Sequence, residues 1–334
     1  MRIKLTYIGG LKDIVLSELT QYPELRIIEI QDEELYIEYT ADFGTIRKLR
    51  SITNAHLIKQ GAEINPYFIS KNKSVLGGLI DTVMNGNTDR FRTFKLSCAG
   101  SDSKEVQDIQ RFIISEYRLT LSEDADMEIY IGKSNVWEVG VRLTARPLSL
   151  REYKVANIKG GLNPTIAYAM NTFCNLNTIH SYLNIFSGSA TLLIEAGMSN
   201  PNLRLFGFDN NGTSTALAVQ NIKKAGLVKQ IELRNFNVFD KPDIGMFDCI
   251  VADLPFGMQI AKDEDLEKLY TCFVEYSETV LASGGTLVTY TTEHSLLQKI
   301  IEQSKFEIST MLDLKVSTVI EKYIYPKIFV CKLK

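Results

Sequence analysis

Apolar and polar residues alternate with two different rhythms along this chain. From about residue 160 onward, short apolar stretches alternate with helix-length amphipathic segments, which is typical of a mostly parallel sheet with helices on both faces. This pattern predicts seven strands, near 181–185, 204–208, 231–236, 247–252, 285–290, 306–314 and 324–331. It also predicts helices near 164–173, 191–198, 213–224, 266–281 and 295–303. The C-terminal half is therefore expected to be an α/β domain.

The N-terminal half has shorter strands and predicts smaller α+β units. Strands near 2–7, 26–30 and 35–39 surround a helix near 12–22, and a second helix follows Phe43. A further unit would contain a strand at 93–98, a helix at 103–117 and strands at 127–131 and 136–143. The stretch NPYFISKNKS at 65–74 is linker-like. We therefore expect three parts, with the boundaries 1–62, 63–157 and 158–334.

Composition is that of a globular chain with more than one core. The 334 residues are 45% hydrophobic and 23% charged. With no run of about 18 apolar residues and no signal-peptide core, we expect a cytoplasmic protein with no membrane contact. The formal net charge of -3 argues against coating nucleic acid by bulk charge, so RNA contact would need a local patch. The scattered cysteines predict neither a metal site nor a disulfide framework.

A turn of small residues follows the first strand of the α/β half. Phe186 to Thr191 reads FSGSAT, and the helical stretch TLLIEAG begins at its end. Small residues let a ligand approach the backbone, and the amides at a helix N-terminus favour an anionic group. Such turns also serve tight packing alone. The pattern by itself leaves ligand binding open.

Polar residues end the next three predicted strands. Asp209 lies about twenty residues beyond the small-residue turn, where an acid accepts hydrogen bonds from ribose hydroxyls in nucleotide-binding sheets. Alternatively, Asp209 or Asn210 caps the helix at Thr213. Asn237 and Asp253 end the third and fourth strands. Because ligands bind outside the carboxyl ends of strands in open α/β sheets, these positions together favour a nucleoside pocket.

The fourth strand runs directly into VADLPFGMQ at 251–259. An ordinary turn uses Asp, Pro and Gly and has no need of the aromatic ring of Phe256. The stretch from Asp253 to Gly257 resembles the [DN]-x-P-[YF]-G motif of S-adenosylmethionine-dependent methyltransferases that modify exocyclic amino groups of bases. The form DLPFG is met in guanine-N2 RNA methylases.

Further segments agree with this resemblance. LNPTIAYAM at 162–170 is similar to the segment before the first strand in that group, and SGSATLLIEAG at 187–197 resembles its cofactor loop and helix. YIGGLKDIVLSEL at 7–19 resembles the opening of the ferredoxin-like unit in tRNA guanine-N2 methyltransferases that carry a THUMP domain. VGVRLTARPLSLREYKV at 139–155 resembles the end of a THUMP domain. The resemblance implies ferredoxin-like and THUMP-like units followed by a seven-stranded Rossmann-like methyltransferase domain.

The resemblance also implies S-adenosylmethionine as cofactor and structured RNA, most simply tRNA, as substrate. Asp253 and the backbone carbonyls near Pro255 would accept the hydrogens of the guanine amine, which is a poor nucleophile. Phe256 would stack on the base once it is flipped out of its helix. The expected catalytic residues are Asp253, Pro255 and Phe256. The expected cofactor-binding residues are Pro164, Thr165, Asn184, Ser187, Gly188, Ser189, Ala190, Asp209, Asn210, Asn237 and Asp253.

Three residues depart from the family pattern. Asn184, Ala190 and Asn237 stand where the family usually has Asp, Gly and often Asp. An amide oxygen accepts a hydrogen bond but cannot neutralise charge, and the Ala190 methyl would crowd the backbone. Asn184→Asp with Ala190→Gly is therefore expected to tighten cofactor binding. The alternatives are an RNA-binding protein with a degenerate pocket and an adenine-N6 nucleic-acid methyltransferase, which shares the catalytic motif.

Basic residues that could hold RNA phosphates occur in two segments, DRFRTFK at 89–95 and RLTARPLSLREYK at 142–154. Arginines mixed with aromatic residues at strand spacing also occur in half-buried strands with one solvated face. The pattern alone is compatible with either interpretation. The expected RNA-binding residues are Arg90, Arg92, Lys95, Arg142, Arg146, Arg151 and Lys154.

Overall fold

The computed structural model describes residues 1–40, 43–100, 102–158, 160–256, 265–318 and 322–334. The chain divides into two compact units. The first consists of residues 1–7 and 15–149, and the second of residues 8–14 and 150–334. Among the described residues, no helix has the length and apolar character needed to cross a bilayer.

The first unit is built on one eight-stranded sheet. Its strands are β1 (Arg2–Tyr7), β2 (Arg26–Ile30), β3 (Glu34–Glu38), β4 (Ile52–Gly61), β5 (Thr93–Cys98), β6 (Thr120–Leu121), β7 (Met127–Lys133) and β8 (Trp137–Arg142). They lie in the order β2-β3-β1-β4-β8-β7-β5-β6. The helices up to residue 149 are α1 (Lys12–Leu19), α2 (Gly44–Lys48), α3 (Pro66–Lys71), α4 (Ser74–Asn85) and α5 (Lys104–Tyr117).

Strand β4 joins the two halves of this sheet. It pairs antiparallel with β1 on one side and with β8 on the other. Alternating apolar residues, such as Ile3 and Leu5 of β1, are buried in a core that also contains Ile129 and Val141. Sheet and core therefore continue across the boundary expected at residue 62, because β4, which precedes that boundary, pairs with β8, which follows it.

The second unit is built on a seven-stranded sheet. Its strands are β9 (Ser181–Ile185), β10 (Arg204–Asp209), β11 (Ile231–Asn235), β12 (Phe247–Asp253), β13 (Leu281–Thr291), β14 (Phe306–Asp313) and β17 (Lys327–Leu333), with β15 (Val316–Ser317) and β16 (Tyr323–Ile324) forming a small ladder. The order is β11-β10-β9-β12-β13-β17-β14. The helices are α6 (Pro164–Thr172), α7 (Thr191–Ser199), α8 (Gly212–Ala225), α9 (Leu266–Val280) and α10 (His294–Glu302).

The Rossmann-like α/β arrangement predicted for this half is confirmed. The first five strands in this order, β11, β10, β9, β12 and β13, pair in parallel with their neighbours. Strand β17 is antiparallel to both of its neighbours, β13 and β14. One predicted strand, at 324–331, is interrupted. Pro326 has no backbone N–H to give to a ladder, so β16 ends at Ile324 and β17 begins at Lys327.

The strand order reverses direction at β9. The chain first builds outward from β9 to β10 and β11, and then returns to place β12 and β13 on the other side of β9. In open α/β sheets the ligand site lies at such a switch point, outside the carboxyl ends of the strands. The loops after β9, β10 and β12 meet at this edge.

Candidate active site

The turn after β9 has a backbone that glycine would adopt more easily. Phe186, Gly188 and Ala190 have φ values of 58°, 50° and 63°. The left-handed conformation costs an ordinary L-residue roughly 1–2 kcal/mol, so the surrounding structure must hold Phe186 and Ala190 in place. The Ala190 methyl is fully buried in the core, and its N–H donates to the carbonyl of Ser187 at 2.7 Å. The turn is thus tight, and α7 begins after it without a side-chain cap.

Asp209 connects this turn to the end of β10. Its Oδ2 accepts a hydrogen bond from the Gly188 N–H at 2.9 Å, and its Oδ1 accepts one from the Asn211 N–H at 2.9 Å. Burial raises the pKa of this carboxyl, and the two hydrogen bonds oppose the shift. The cap of α8 is Asn211, whose Oδ1 accepts from the Thr213 N–H. The capping role considered for Asp209 or Asn210 is therefore wrong.

Asn184 is a structural link between two strands. The side chain is buried, and its Nδ2 donates to the carbonyls of Ile185 at 3.1 Å and Val251 at 3.0 Å. A carboxylate has no hydrogen to donate to either carbonyl. Asparagine at this position, where the family usually has aspartate, thus supplies the donor for both carbonyls.

Asn237 does not end a strand. Strand β11 ends at Asn235, and the Asn237 side chain instead caps a short 3-10 helix, Val238–Asp240, by accepting from the Phe239 N–H at 3.1 Å. The strand end expected near Asn237 is wrong, because this side chain closes a local turn.

Asp253 ends β12 with an oxygen that lacks a partner. Its Oδ1 is buried and makes no hydrogen bond with the described part of the chain. Burial raises the pKa of this carboxyl to about 7, although the positive charge of Lys154 acts in the opposite direction. The group therefore changes protonation near neutral pH, as suits an acceptor of hydrogens. Gly257, the last residue of the motif, lies outside the described residues.

The turn after Asp253 is held by its neighbours. The Leu254 N–H donates to the carbonyl of Tyr290 in β13 at 3.0 Å, and the hydroxyl of Tyr270 in α9 donates to the carbonyl of Pro255 at 2.9 Å. Phe256 is partly exposed and packs against the apolar core with the rest of its ring. Neither tyrosine lies in a recognisable motif, so sequence reasoning missed both.

The start of α6 contributes a second unpartnered oxygen. Asn163 caps this helix by accepting from the Thr165 N–H at 2.8 Å, and Pro164 occupies the first helical position. Thr165 is fully buried, and its Oγ1 has no hydrogen-bond partner in the described ranges. A buried hydroxyl left in this way is suited to a ligand.

Two of the expected RNA contacts belong to the second unit and point inward. The Arg151 Nε donates to the carboxylate of Glu195, a fully buried residue, at 3.3 Å, and only 10% of the Arg151 side chain is exposed. The Lys154 Nζ donates to the carbonyl of Leu162 at 2.7 Å. Burial lowers the pKa of Lys154, whereas the negative charges of Asp253 and Glu195 raise it. Arg151 as an RNA contact is wrong, because its guanidinium is used in a buried ion pair.

Arg142 in the first unit is also internal. Its guanidinium donates to Glu128 Oε2 at 2.6 Å and to the carbonyls of Thr144 at 2.9 Å, Ala145 at 2.9 Å and Asp126 at 3.3 Å. The side chain is 5% exposed. Arg142 as an RNA contact is wrong for the same reason, and its role is to tie two loops together.

The remaining basic residues are placed on the surface. Arg90, Arg92 and Arg146 are exposed, and within the described residues their side chains have neither an ion pair nor a hydrogen bond. Lys95 is partly exposed and pairs with Glu123 at 2.5 Å. Three arginines therefore remain available to an external anion.

The family model of UPF0020, described as RMKL-like, methyltransferase domain, matches residues 151–322, just over half of the chain. The U6 snRNA (guanine-N(2))-methyltransferase THUMPD2 of Bos taurus is 30% identical over 213 residues, which cover 60% of this chain and 41% of that protein. The tRNA (guanine(6)-N2)-methyltransferase of Thermus thermophilus is 27% identical over 198 residues, covering 58% of this chain and 56% of that protein. The chain thus spans only about half the length of these relatives.

The crystal structure of TrmN from Thermus thermophilus has the same fold. It superposes with a TM-score of 0.77 at 18% sequence identity, and the match covers 100% of this chain and 99% of that one.

Asp253→Asn should change how stability depends on pH. Because the carboxyl has a pKa of about 7 in the folded state and an ordinary pKa of 3.8, folding favours its protonated form. The wild-type free energy of unfolding should therefore fall as pH rises from about 4 to about 7, by up to about 1.4 kcal/mol per pH unit from this group. The variant lacks this loss. Urea unfolding of both proteins at about pH 5 and about pH 8 measures the difference, which we expect to favour the variant more at the higher pH. A difference that is the same at both pH values would contradict it.

Asn184→Asp should destabilise the protein rather than tighten cofactor binding. The carboxylate would be buried against the carbonyls of Ile185 and Val251, which both lose a donor, at a cost of about 3 kcal/mol or more. Ala190→Gly is the control, because relief of its left-handed backbone offsets the loss of a buried methyl to within about 1 kcal/mol. Urea unfolding of both variants and the wild type measures these changes in the free energy of unfolding. Wild-type stability in Asn184→Asp would show that the interpretation of Asn184 is wrong.

Proposed function

The chain belongs to the RMKL-like methyltransferase domain family UPF0020, and from this membership we propose that it transfers a methyl group from S-adenosylmethionine to RNA. The acceptor that we propose is the exocyclic N2 of guanine in structured RNA, most simply tRNA. The observation that carries this proposal is Asp253, whose buried oxygen has no partner among the described residues and whose pKa is about 7. The names of the bovine and Thermus relatives, both guanine-N2 methyltransferases acting on RNA, support it.

The residues at the switch point fit the cofactor. Gly188 has no side chain in the turn after β9, and each Asp209 oxygen makes one hydrogen bond to the backbone, which leaves lone pairs for ribose hydroxyls. The hydroxyl of Thr165 is buried and unpartnered in the described structure. We propose that these residues, with Ser187 and Ser189 of the same turn, hold the cofactor. When bound, S-adenosylmethionine supplies an electrophilic methyl group on its sulfonium.

The DLPF turn would orient the base. Asp253 accepts a hydrogen bond from an N–H of the guanine amine. This increases the electron density on a nitrogen whose lone pair is delocalised into the ring. Phe256 offers the exposed part of its ring to the face of a flipped base. The Pro255 carbonyl has a second lone pair beside its hydrogen bond from Tyr270, so it can accept as well.

Three exposed arginines of the first unit would hold RNA phosphates. Arg142 fixes Ala145 and Asp126 in one cluster. The Asp126 carboxylate in turn accepts from the Arg92 N–H at 3.1 Å, and Asp89 accepts from the Ala145 N–H at 2.7 Å. Arg92 is itself one of the linked residues, and Arg90 and Arg146 directly follow Asp89 and Ala145 in the chain. We propose this surface as the RNA contact of a THUMP-like part, residues 63–157.

An adenine-N6 methyltransferase remains the alternative enzyme, because the catalytic motif is shared by both classes. Digestion of methylated RNA to nucleosides separates the two, since each produces a different methylated base. The other alternative is an RNA-binding protein with a degenerate pocket, and calorimetric titration with S-adenosylmethionine tests it directly. Measurable binding of the cofactor would exclude that alternative.

Substitutions in the DLPF turn should slow methyl transfer without unfolding the protein. In Asp253→Asn an amide donor can face the donors of the guanine amine, so turnover should fall about a hundredfold or more. Phe256→Leu should make the binding free energy of the RNA substrate less favourable by about 1–3 kcal/mol, because stacking on the base is lost. Single-turnover methylation of tRNA and U6 transcripts with saturating cofactor measures both. The controls are Asp240→Asn and Phe239→Leu, both on exposed residues of the same unit. Wild-type rates in the DLPF variants would reduce the motif to a turn.

Arg146→Ala and the double variant Arg90→Ala with Arg92→Ala should weaken RNA binding while cofactor affinity stays unchanged. With one phosphate contact fewer, RNA binding releases fewer counterions. The magnitude of the slope of log affinity against log salt should therefore fall by about one per arginine. Filter binding over a salt series gives this slope. Arg111→Ala is the control, because this exposed arginine is already paired with Asp108. Equal salt slopes in all the variants would exclude this surface.

A further inference from the structure

The chain between β14 and β17 leaves the second sheet at the edge where Asp253 lies. Asp253 pairs with Tyr290 of β13, and Tyr290 pairs with Ile328 of β17. Ile328 pairs in turn with Leu312, close to the end of β14. Neighbouring strands are about 4.8 Å apart, so the backbone of Leu312 lies about 15 Å from that of Asp253 across the sheet. The segment that follows β14 therefore begins close to the candidate active site.

This segment contains the small ladder of β15 and β16, and we call its residues 314–318 and 322–326 the rim ladder. Leu314 is buried in an apolar cluster, and Val316 packs against that cluster. Alternate residues of β17 belong to this cluster and to a second one on the opposite face of the sheet. Phe256 of the DLPF turn packs against the same cluster as Val316. The rim ladder and the DLPF turn therefore lie on the same side of the sheet.

Tyr325 is an exposed aromatic residue on a restricted backbone. It is 61% exposed. It follows Ile324 of the ladder and precedes Pro326, which disfavours a helical backbone at Tyr325. The carbonyl of Pro326 accepts from the Leu314 N–H at 2.9 Å, which closes the base of the ladder. Because the backbone is already held, the ring of Tyr325 would lose little conformational freedom on contact with a ligand.

Two lysines bring positive charge to the same ladder. The Lys315 Nζ lies 4.5 Å from the ring centroid of Tyr323, and the Lys322 Nζ lies 5.8 Å from it. Attraction between an ammonium group and the face of a ring holds both charges beside the ladder. Lys327 is different, because its Nζ pairs with Asp313 at 3.0 Å. Positive charge and an exposed ring thus occur together within one short segment.

Single-stranded RNA is the partner that fits these features. Proteins that bind single strands combine positive charge along the phosphates with aromatic rings on which bases stack. A base that is flipped into a site also leaves its neighbours in the strand without one stacking partner. The distance of about 15 Å between β14 and Asp253 corresponds to a few nucleotides of one strand. An isolated exposed ring is ordinary on a protein surface, so the adjacent lysines and the position at this edge carry the argument.

We propose that the rim ladder binds single-stranded RNA next to the target guanine, with the Tyr325 ring stacked on a neighbouring base and the ammonium groups of Lys315 and Lys322 on phosphates. This inference rests on the proposed function for the identity of the target. It gives the second unit an RNA contact of its own, in addition to the arginines proposed in the first unit. Tyr325 does not touch the reacting amine, so it should affect the binding of RNA and not the chemical step.

Filter binding of tRNA and U6 transcripts to the full chain tests the stacking contact without any activity. Tyr325→Ala should weaken RNA binding about fivefold or more, whereas Tyr325→Phe, which keeps the ring, should bind within about twofold of wild type. Met246→Ala is the matched control, because Met246 is 58% exposed and precedes β12, at the opposite edge of the sheet. Equal affinity of Tyr325→Ala and the wild type overturns the inference, as does a wild type that binds neither transcript.

A salt series tests the phosphate contacts. The double variant Lys315→Gln with Lys322→Gln should reduce the magnitude of the slope of log affinity against log salt by about 0.7 for each lysine, the value for single strands. Lys229→Gln is the control, because Lys229 is exposed and lies just before β11, at the opposite edge of the sheet. A slope in the double variant equal to that of the wild type overturns the inference.

Steady-state methylation separates this inference from the proposed function. Tyr325→Ala should raise the KM for RNA about fivefold or more and leave kcat within about twofold of wild type. A fall in kcat with an unchanged KM would assign Tyr325 to the chemical step and overturn the inference. If Tyr325→Ala weakens RNA binding but the wild type methylates no guanine, the proposed function fails and the RNA contact of the rim ladder stands.

Discussion

Parallel pairing of β9, β10 and β12 is the constraint on which the candidate site depends. Parallel strands end at the same edge of a sheet, so the loops that follow them meet in space although they are far apart in sequence. Asn184 of β9 pairs with Val251 of β12 and Gly207 of β10, and its side-chain amide reinforces the first pair. This register brings Asp209, Asp253 and the turn after β9 to one edge. A register shift by one residue would turn these side chains to other faces.

The charges buried in the second unit differ in how they are compensated. Glu195 is fully buried but accepts from Arg151 and Tyr153, so it holds the segment before α6 in position. Asp209 receives two backbone N–H groups and fixes the turn. Asp253 alone among these three has a buried oxygen without a partner in the described structure. An uncompensated acid costs stability, and such costs are found where a group must react or bind.

The first unit shows the same division among arginines. Arg142 and Arg146 are four residues apart, yet one is saturated by carbonyls and a carboxylate and the other is exposed. A buried arginine with several acceptors makes loops rigid, and exposed arginines on those loops then present charge in a fixed arrangement. The proposed RNA contact is compatible with a net charge of -3, because contact with phosphates is local.

The sequence by itself determined the periodic elements and the candidate motif. Alternating and amphipathic patterns predicted the seven strands of the larger sheet and the five described α-helices that follow residue 150, because periodicity directly reports which face of an element is buried. They did not predict the separate β15-β16 ladder or the break at Pro326. The order of motifs predicted the methyltransferase family. The sequence also placed Asp209 and Asp253 at strand ends, since each follows an apolar run without interruption.

Only the tertiary structure decided which polar side chains are used internally. The RNA contacts expected for Arg142 and Arg151 were wrong, because their acceptors, Ala145 and Glu195 among them, are brought to them by folding. Lys154, also expected to contact RNA, instead donates to the carbonyl of Leu162 within its own unit. Hydrogen bonds between distant segments leave no periodic trace in a sequence, because they depend on distance in space and not on spacing along the chain.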